Sequence, residues 1–265
     1  MTGHVGRVAL RVTDLDRMAA FYEDVVGLRT LDRADGRAVL GVDDPLLVLL
    51  AAPNRPARGP DETGLFHTAV RVPSRAALGD ALDRIEAEWR LDGASDHHVS
   101  EALYLSDPED NGVEVYRDRP CEDWPVDDEG RVGMDTHPLA LDPLRDAAAG
   151  ADRAPSGTDV GHVHLEVADL DAARSFYVDS LGLRVRQAMP SALFLAFDGY
   201  HHHVGCNVWN SRSEPAEGRG LAWMELVVDD TRAIRARLDP DAVTDRPDGF
   251  AVDDPDGITV RVRRR

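Results

Sequence analysis

The chain has 265 residues, enough for two modest domains with real cores, and carries 49 acidic against 30 basic residues, a net charge of -19. Such acidity argues against nucleic acid or an anionic membrane as partner, because phosphates would be repelled. No apolar run approaches the roughly 18 residues of a membrane span, and the N-terminus lacks a charged-then-apolar leader, so a cytoplasmic protein is expected.

One strand signature returns along the chain and organises it. It reads Arg7 to Val12 first, and Val12-Thr13-Asp14-Leu15 then leads to Phe21-Tyr22 and Gly27-Leu28. Asp14 can cap a short amphipathic helix that ends at the glycine, and Leu46 to Leu50 reads as a following strand. The second copy, His67 to Val72, opens a unit of about Gly64 to Arg119, with a helix near Arg75–Trp89 and strands near Ala102–Leu105 and Val113–Tyr116. A Pro- and Asp-rich linker follows over 120–156, with a short helix near Leu139–Ala149. The third copy, His162 to Val167, repeats the first unit's pattern: Asp169, Phe176-Tyr177, Gly182-Leu183, and a strand from Ala192 to Phe197. The fourth, Trp223 to Val228, heads a shorter unit of about Gly220 to Arg263. The expected architecture is α+β, four βαβββ modules. Modules 1 and 2 would form an N-terminal domain over 1–119, and modules 3 and 4 a C-terminal domain over 157–265.

Four such modules resemble the vicinal oxygen chelate superfamily, which includes glyoxalase I, extradiol dioxygenases and bleomycin-resistance proteins. The resemblance implies paired modules whose curved sheets form cups around a divalent metal. Strand alternation shows which side chains face a cup. Val163, Leu165 and Val167 share one face, leaving His162, His164 and Glu166 on the other; Phe66, Val70 and Val72 put His67 opposite; Val113 and Val115 put Glu114 opposite. Two imidazoles and a carboxylate with open positions left over is the facial set of non-haem Fe(II) oxygenases. Carried over by position, the family's ligands are His67, Glu114 and His162. The outer copies carry Arg7, Trp223 and Thr259 at those places. Neither a guanidinium nor an indole ligates a metal, so the working cup is expected to join modules 2 and 3.

His97 to Glu114, with Leu103-Tyr104 and Asp107-Pro108 between, resembles the extradiol dioxygenase signature, departing at Ser95 and Asp110. That resemblance implies that His97 and Tyr104 hydrogen-bond substrate or oxygen. Tyr200-His201-His202-His203 resembles the His-His pair that supplies the family's active-site acid/base. Alignment gives His203 as that residue, and parity agrees: Val204, Cys206 and Val208 form an apolar face, which sends His203 and Asn207 to the cup, with His202 supporting the loop. Together with Asn207 to Asn210, these stretches resemble a bacterial and archaeal branch of catechol 2,3-dioxygenases.

The reading is therefore a ring-cleaving dioxygenase that uses Fe(II), with Mn(II) as the other ion of the type, on a catechol-like diol and O2. His203 acts as base, His97 as acid or oxygen stabiliser and Tyr104 as hydrogen-bond donor. A homo-oligomer is compatible with it. A glyoxalase-type isomerase is the first alternative, disfavoured because its fourth ligand would fall near Asn207; a metal-free binding module is the second. His4, His98 and His137 read as surface or structural histidines, and Cys121 and Cys206 as reduced thiols. The absence of lysine and the even spread of acidic residues suit a surface solvated in high salt.

Overall fold

The computed structural model describes all 265 residues. Each module has the βαβββ order. Module 1 holds β1 (Gly3–Val12), α1 (Leu15–Phe21), β2 (Arg29–Ala34), β3 (Arg37–Gly41) and β4 (Pro45–Ala51). Module 2 holds β5 (Gly64–Arg71), α2 (Arg75–Glu88), β6 (Gly93–Asp96), β7 (Ser100–Ser106) and β8 (Gly112–Asp118). The connecting segment adds β9 (His137–Pro138) and α3 (Leu141–Arg145). Module 3 holds β10 (Asp159–Glu166), α4 (Leu170–Arg174), β11 (Arg184–Met189), β12 (Ala192–Ala196) and β13 (Val204–Asn207). Module 4 holds β14 (Gly220–Val228), α5 (Thr231–Arg235), β15 (Thr244–Arg246), β16 (Gly249–Asp253) and β17 (Thr259–Arg264).

Local chemistry explains the helix starts. Asp14 accepts from the N–H groups of Asp16 and Arg17, Asp169 from Ala172, and Ser74 from Ala77, which satisfies otherwise orphaned donors. Both α1 and α4 run on into a π-helical turn, and the left-handed glycines Gly27 (φ 89°) and Gly182 (φ 85°) follow. Tyr22 then donates to Asp107 at 3.0 Å and Tyr177 to Asp254 at 2.9 Å. The helix of each odd module is thereby anchored on the last turn of the next one.

The sheets follow a different pairing. One runs β15-β16-β17-β14-β1-β4-β3-β2 and joins modules 1 and 4; the other runs β11-β12-β13-β10-β5-β8-β7-β6-β9 and joins modules 2 and 3. Their seams are the antiparallel pairs β1 with β14 and β5 with β10. Each cup thus draws one module from either side of 120–156, and the division into 1–119 and 157–265 does not separate the cups. A core of 53 buried residues spans both halves, including Val8, Leu10, Val163 and Leu165. The expected linker is itself packed. Leu144 and Ala154 are buried, and Arg84 of α2 donates to the Ala151 carbonyl. No helix is long and apolar enough to cross a membrane. Both cysteines are free, Cys121 exposed and Cys206 buried.

Candidate metal centre

Three neighbouring strands supply the metal-type residues. β10 pairs antiparallel with β5, and β5 pairs parallel with β8, so His162, His67 and Glu114 rise from the middle of one continuous ladder. Glu114 Oε2 lies 3.0 Å from His67 Nε2 and 3.1 Å from His162 Nε2, and the two Nε2 atoms are 3.3 Å apart. Adjacent octahedral ligands at about 2.1 Å from an ion lie about 3.0 Å from one another. The observed triangle is that of three ligands on one face of a cation, with the remaining positions open to the cavity.

Protonation favours the same use. Burial pulls the His162 imidazole down to about 4, against the opposing effect of Glu114. Burial alone would push the Glu114 carboxyl up, but His162 and His67 hold it well below its usual range. A cation needs these deprotonated forms. All three residues are at most 6% exposed, so an uncompensated carboxylate there would be costly. The residues fit a divalent metal.

Above the triad opens a cavity of about 540 Å³, walled by Phe66, Phe194, Val99, Met134, Met189 and Trp209. That is the size and polarity of a small-molecule site. Phe66 was expected on the opposite face from His67. An irregularity in the β5–β10 register, between His164↔His67 and Leu165↔Leu65, leaves it as an extra residue and brings its ring to the cavity. A second irregularity falls at Gly161, where a Cβ would lie 1.7 Å from the Tyr116 hydroxyl.

On one side of the cavity stand Tyr104 and His97. Tyr104 pairs with Glu114 across β7 and β8, and its hydroxyl lies 2.7 Å from His97 Nε2. Burial and then the Glu114 charge push the phenol well above its usual range, so it remains an O–H donor. His97 Nδ1 donates to the Asp135 carbonyl at 2.8 Å, which leaves Nε2 to accept from Tyr104.

The opposite side corrects the expectation for His203. Its ring stacks on Tyr200, its Nδ1 accepts from the Phe197 N–H at 3.3 Å, and it lines a separate surface cavity with His4 and Asp198. Regular alternation begins only at Val204, the first residue of β13, so parity cannot be extended back into the turn. His202 faces the cup instead, its ring centroid 4.0 Å from that of His162 and 5.1 Å from that of Phe194. Asn207, also expected at the cup, is fully buried and donates to the Leu165 carbonyl.

A chain of hydrogen bonds fixes the state of His202. Asp118 Oδ1 lies 2.9 Å from His201 Nε2, and His201 Nδ1 lies 2.7 Å from His202 Nδ1. A carboxylate only accepts, so His201 carries its hydrogen on Nε2 and offers a lone pair at Nδ1. His202 then donates from Nδ1 and keeps the lone pair on Nε2. Burial holds the His202 imidazole well below its ordinary range, hence neutral. His164 also lines the cavity, buried and with Nε2 unpartnered. No sequence motif signals the Asp118–His201 link or the wall formed by Met134, Asp135 and Thr136.

Comparison with known proteins agrees with this architecture. The Glyoxalase/Bleomycin resistance protein/Dioxygenase superfamily model matches residues 4–115 and 159–262. The catechol-2,3-dioxygenase of Bacillus subtilis (strain 168) is 37% identical, over 95% of this chain and 94% of that protein. The biphenyl-2,3-diol 1,2-dioxygenase 3 of Rhodococcus globerulus is 29% identical over 44% of this chain and 65% of its own length. Glyoxalase I from Zea mays shares the architecture over 99% of this chain and 92% of that one, with a TM-score of 0.65 and 15% identity. Four βαβββ modules curled into two cups, matched along both halves, place the chain in the glyoxalase/bleomycin resistance protein/dioxygenase superfamily, to which it belongs.

Proposed function

We propose that the cup of modules 2 and 3 is the active site of an Fe(II)-dependent extradiol dioxygenase, which opens a catechol or substituted catechol beside its two hydroxyls with O2. The carrying observation is the triangle of His67, His162 and Glu114 on the floor of an apolar cavity, with His202 on one side and His97 with Tyr104 on the other. The relatives' names, catechol-2,3-dioxygenase and biphenyl-2,3-diol 1,2-dioxygenase, support the same reading.

His67, His162 and Glu114 would hold the iron, which when bound supplies open positions for the diol and dioxygen and makes the hydroxyls more acidic. The chain's other groups divide the proton work. His202 accepts a hydroxyl proton at Nε2, the nitrogen its link to His201 leaves free. Phe66, Phe194 and Trp209 exclude water and hold the aromatic ring over the floor. Tyr104 can turn its hydroxyl hydrogen from His97 Nε2 towards oxygen where negative charge develops, and His97 holds the phenol in place for that donation.

The test is reconstitution with Fe(II) without air, then catechol and oxygen. A yellow ring-fission product absorbing in the visible is expected, with one O2 consumed per ring. Failure to turn over any catechol, with isomerisation of the thiol adduct of methylglyoxal instead, would overturn the reading. The placement of Asn207 disfavours that alternative, because its amide is committed to the Leu165 carbonyl and to the Trp209 N–H.

A further inference from the structure

A second group of metal-type side chains lies at the lip of the cavity, where the connecting segment meets β6. The two-residue strand β9 pairs with β6 through Ser95↔Pro138 and Asp96↔His137. His98, in the turn after β6, is brought against His137: their Nε2 atoms are 3.1 Å apart and their ring centroids 4.8 Å. Asp135 Oδ2 stands 3.8 Å from His98 Nε2, and the three ligand atoms all lie within 4.8 Å of one another. Ligands about 2.1 Å from a tetrahedral zinc ion are about 3.4 Å apart. The two shorter separations bracket that figure.

The backbone is arranged to present this group. His98 sits at φ 65°, a left-handed conformation in which bulky side chains are uncommon, and the Asp96 carboxylate accepts its N–H at 3.0 Å. The turn therefore sends His97 into the cavity and His98 to the outside. Two imidazoles and one carboxylate form a donor set for a borderline divalent ion such as zinc; magnesium and calcium prefer oxygen alone. A chain of net charge -19 adds a favourable field for any cation.

We propose that His98, Asp135 and His137 form a second, surface zinc-type site, separate from the triad on the cup floor, which clips the connecting segment to the β6–β7 turn. Residues Met134, Asp135 and Thr136 of the segment wall the cavity. Val132 and Met134 are buried against Val99, the Val132 N–H reaches the Arg186 carbonyl at 2.9 Å and Gln187 the Met134 carbonyl at 3.1 Å. The exposed stretch from Asp135, in contrast, is held by His97 on the Asp135 carbonyl (2.8 Å) and the short β9 pairing. An ion shared by His98 and His137 closes the two sides of the lip with stronger bonds than the single imidazole hydrogen bond now joining them. The cavity's entrance would then open or stay shut with zinc occupancy.

Zinc binding to the full chain, read by competition with a chromophoric chelator, tests this together with hydrogen exchange. Wild type is expected to bind two equivalents, and the His98→Ala/His137→Ala double variant one. All three ligands are exposed, and the equivalent retained by the double variant reports that its cup is folded. With zinc at ten times the dissociation constant of the lip site, exchange across residues 132–139 should slow about tenfold in wild type. The double variant should show no such slowing. Two equivalents retained by the double variant, or wild-type exchange over 132–139 indifferent to zinc, would overturn the proposal; the 3.1 Å contact would then be only a hydrogen bond between neighbouring histidines.

Discussion

The two cups share one scaffold and differ on their concave faces. In the cup of modules 2 and 3, three small side chains of metal-ligating type leave a cavity above them. In the cup of modules 1 and 4 the matching places are filled. Arg7 donates to Glu225 at 2.7 Å, Arg263 stands 3.0 Å from the same carboxylate, and the Arg261 guanidinium lies 3.8 Å from the centroid of the Trp223 ring. Arg261, not Thr259 as the sequence suggested, stands at the position of Glu114, since Arg261 pairs with Glu225 and Ala251 as Glu114 pairs with Ala69 and Tyr104. Thr259 matches Gly112 and donates to Asp253. The anchors behind the faces repeat instead: Tyr22 on Asp107 in one half, Tyr177 on Asp254 in the other. The difference teaches that the module supplies only a curved platform. A few concave side chains decide whether that platform is a site or a filled face.

The harshest way to break the comparison is to give the working cup the other cup's residue. His162→Arg, which copies Arg7 of the filled cup, would place a guanidinium, which has no lone pair, against Glu114 and form an ion pair like that of Arg7 with Glu225. Loss of the floor metal and a fall in ring cleavage of about 10⁴-fold, equal to about 5.4 kcal/mol of barrier, are expected. Metal analysis and oxygen uptake check both, and retained iron would refute the ligand set. Next in size is His202→Gln, which should keep iron but slow turnover by about 10²- to 10⁴-fold. His203→Gln should leave turnover near wild type. The reverse outcome would return the acid/base role to His203. Because burial lowers the His202 imidazole, its neutral form persists as pH falls. The acid limb of kcat/KM should therefore lie below the ordinary histidine range.

Much of this was legible because period-two alternation and spacing are local. The four modules, the capping aspartates Asp14 and Asp169 and the faces of His67, His162 and Glu114 follow from strand patterns, and the joining of modules 2 and 3 follows from which copies of the strand carry a histidine. What was missed depends on breaks in that pattern or on distant contacts. The irregularity at Phe66 and the turn before Val204 each shift side chains by one place, which alone exchanges His202 for His203. Asp118 and His201 are 83 positions apart, and no motif announces their bond. The segment 120–156 looked like a linker because its turn-rich composition hides Met134 and the packing of Leu144.

A smaller effect probes the filled cup. Glu225 is 1% exposed and balances Arg7 and Arg263, so Glu225→Gln removes the shared charge and leaves two guanidiniums facing each other. About 2 to 3 kcal/mol of stability should be lost, since both arginines retain some contact with water. Urea unfolding measures this, and ring cleavage by the folded fraction should be unchanged. A matching loss of kcat would mean that the filled cup takes part in the chemistry.

The smallest effect expected is the most specific. Asp118 Oδ2 accepts from Arg71 Nη1 at 2.9 Å and Oδ1 from His201 at 2.9 Å, and the Tyr200 hydroxyl donates between the two oxygens at 3.0 and 3.1 Å. In Asp118→Asn the single amide oxygen must stay with Arg71, because a guanidinium can only donate, and the NH₂ group then faces His201. His201 must accept at Nε2 and donate from Nδ1, so His202 accepts at Nδ1 and its own hydrogen moves to Nε2. The tautomer whose lone pair faces substrate thereby becomes the minor form, at about one part in ten if the switch costs about 1.4 kcal/mol. Turnover should fall about tenfold, with KM and bound iron little changed. The ¹⁵N resonance of His202 Nε2 should move from the unprotonated to the protonated range, a change that mere loosening of the turn would not produce. If turnover falls while that resonance stays, Asp118 serves only to hold the loop.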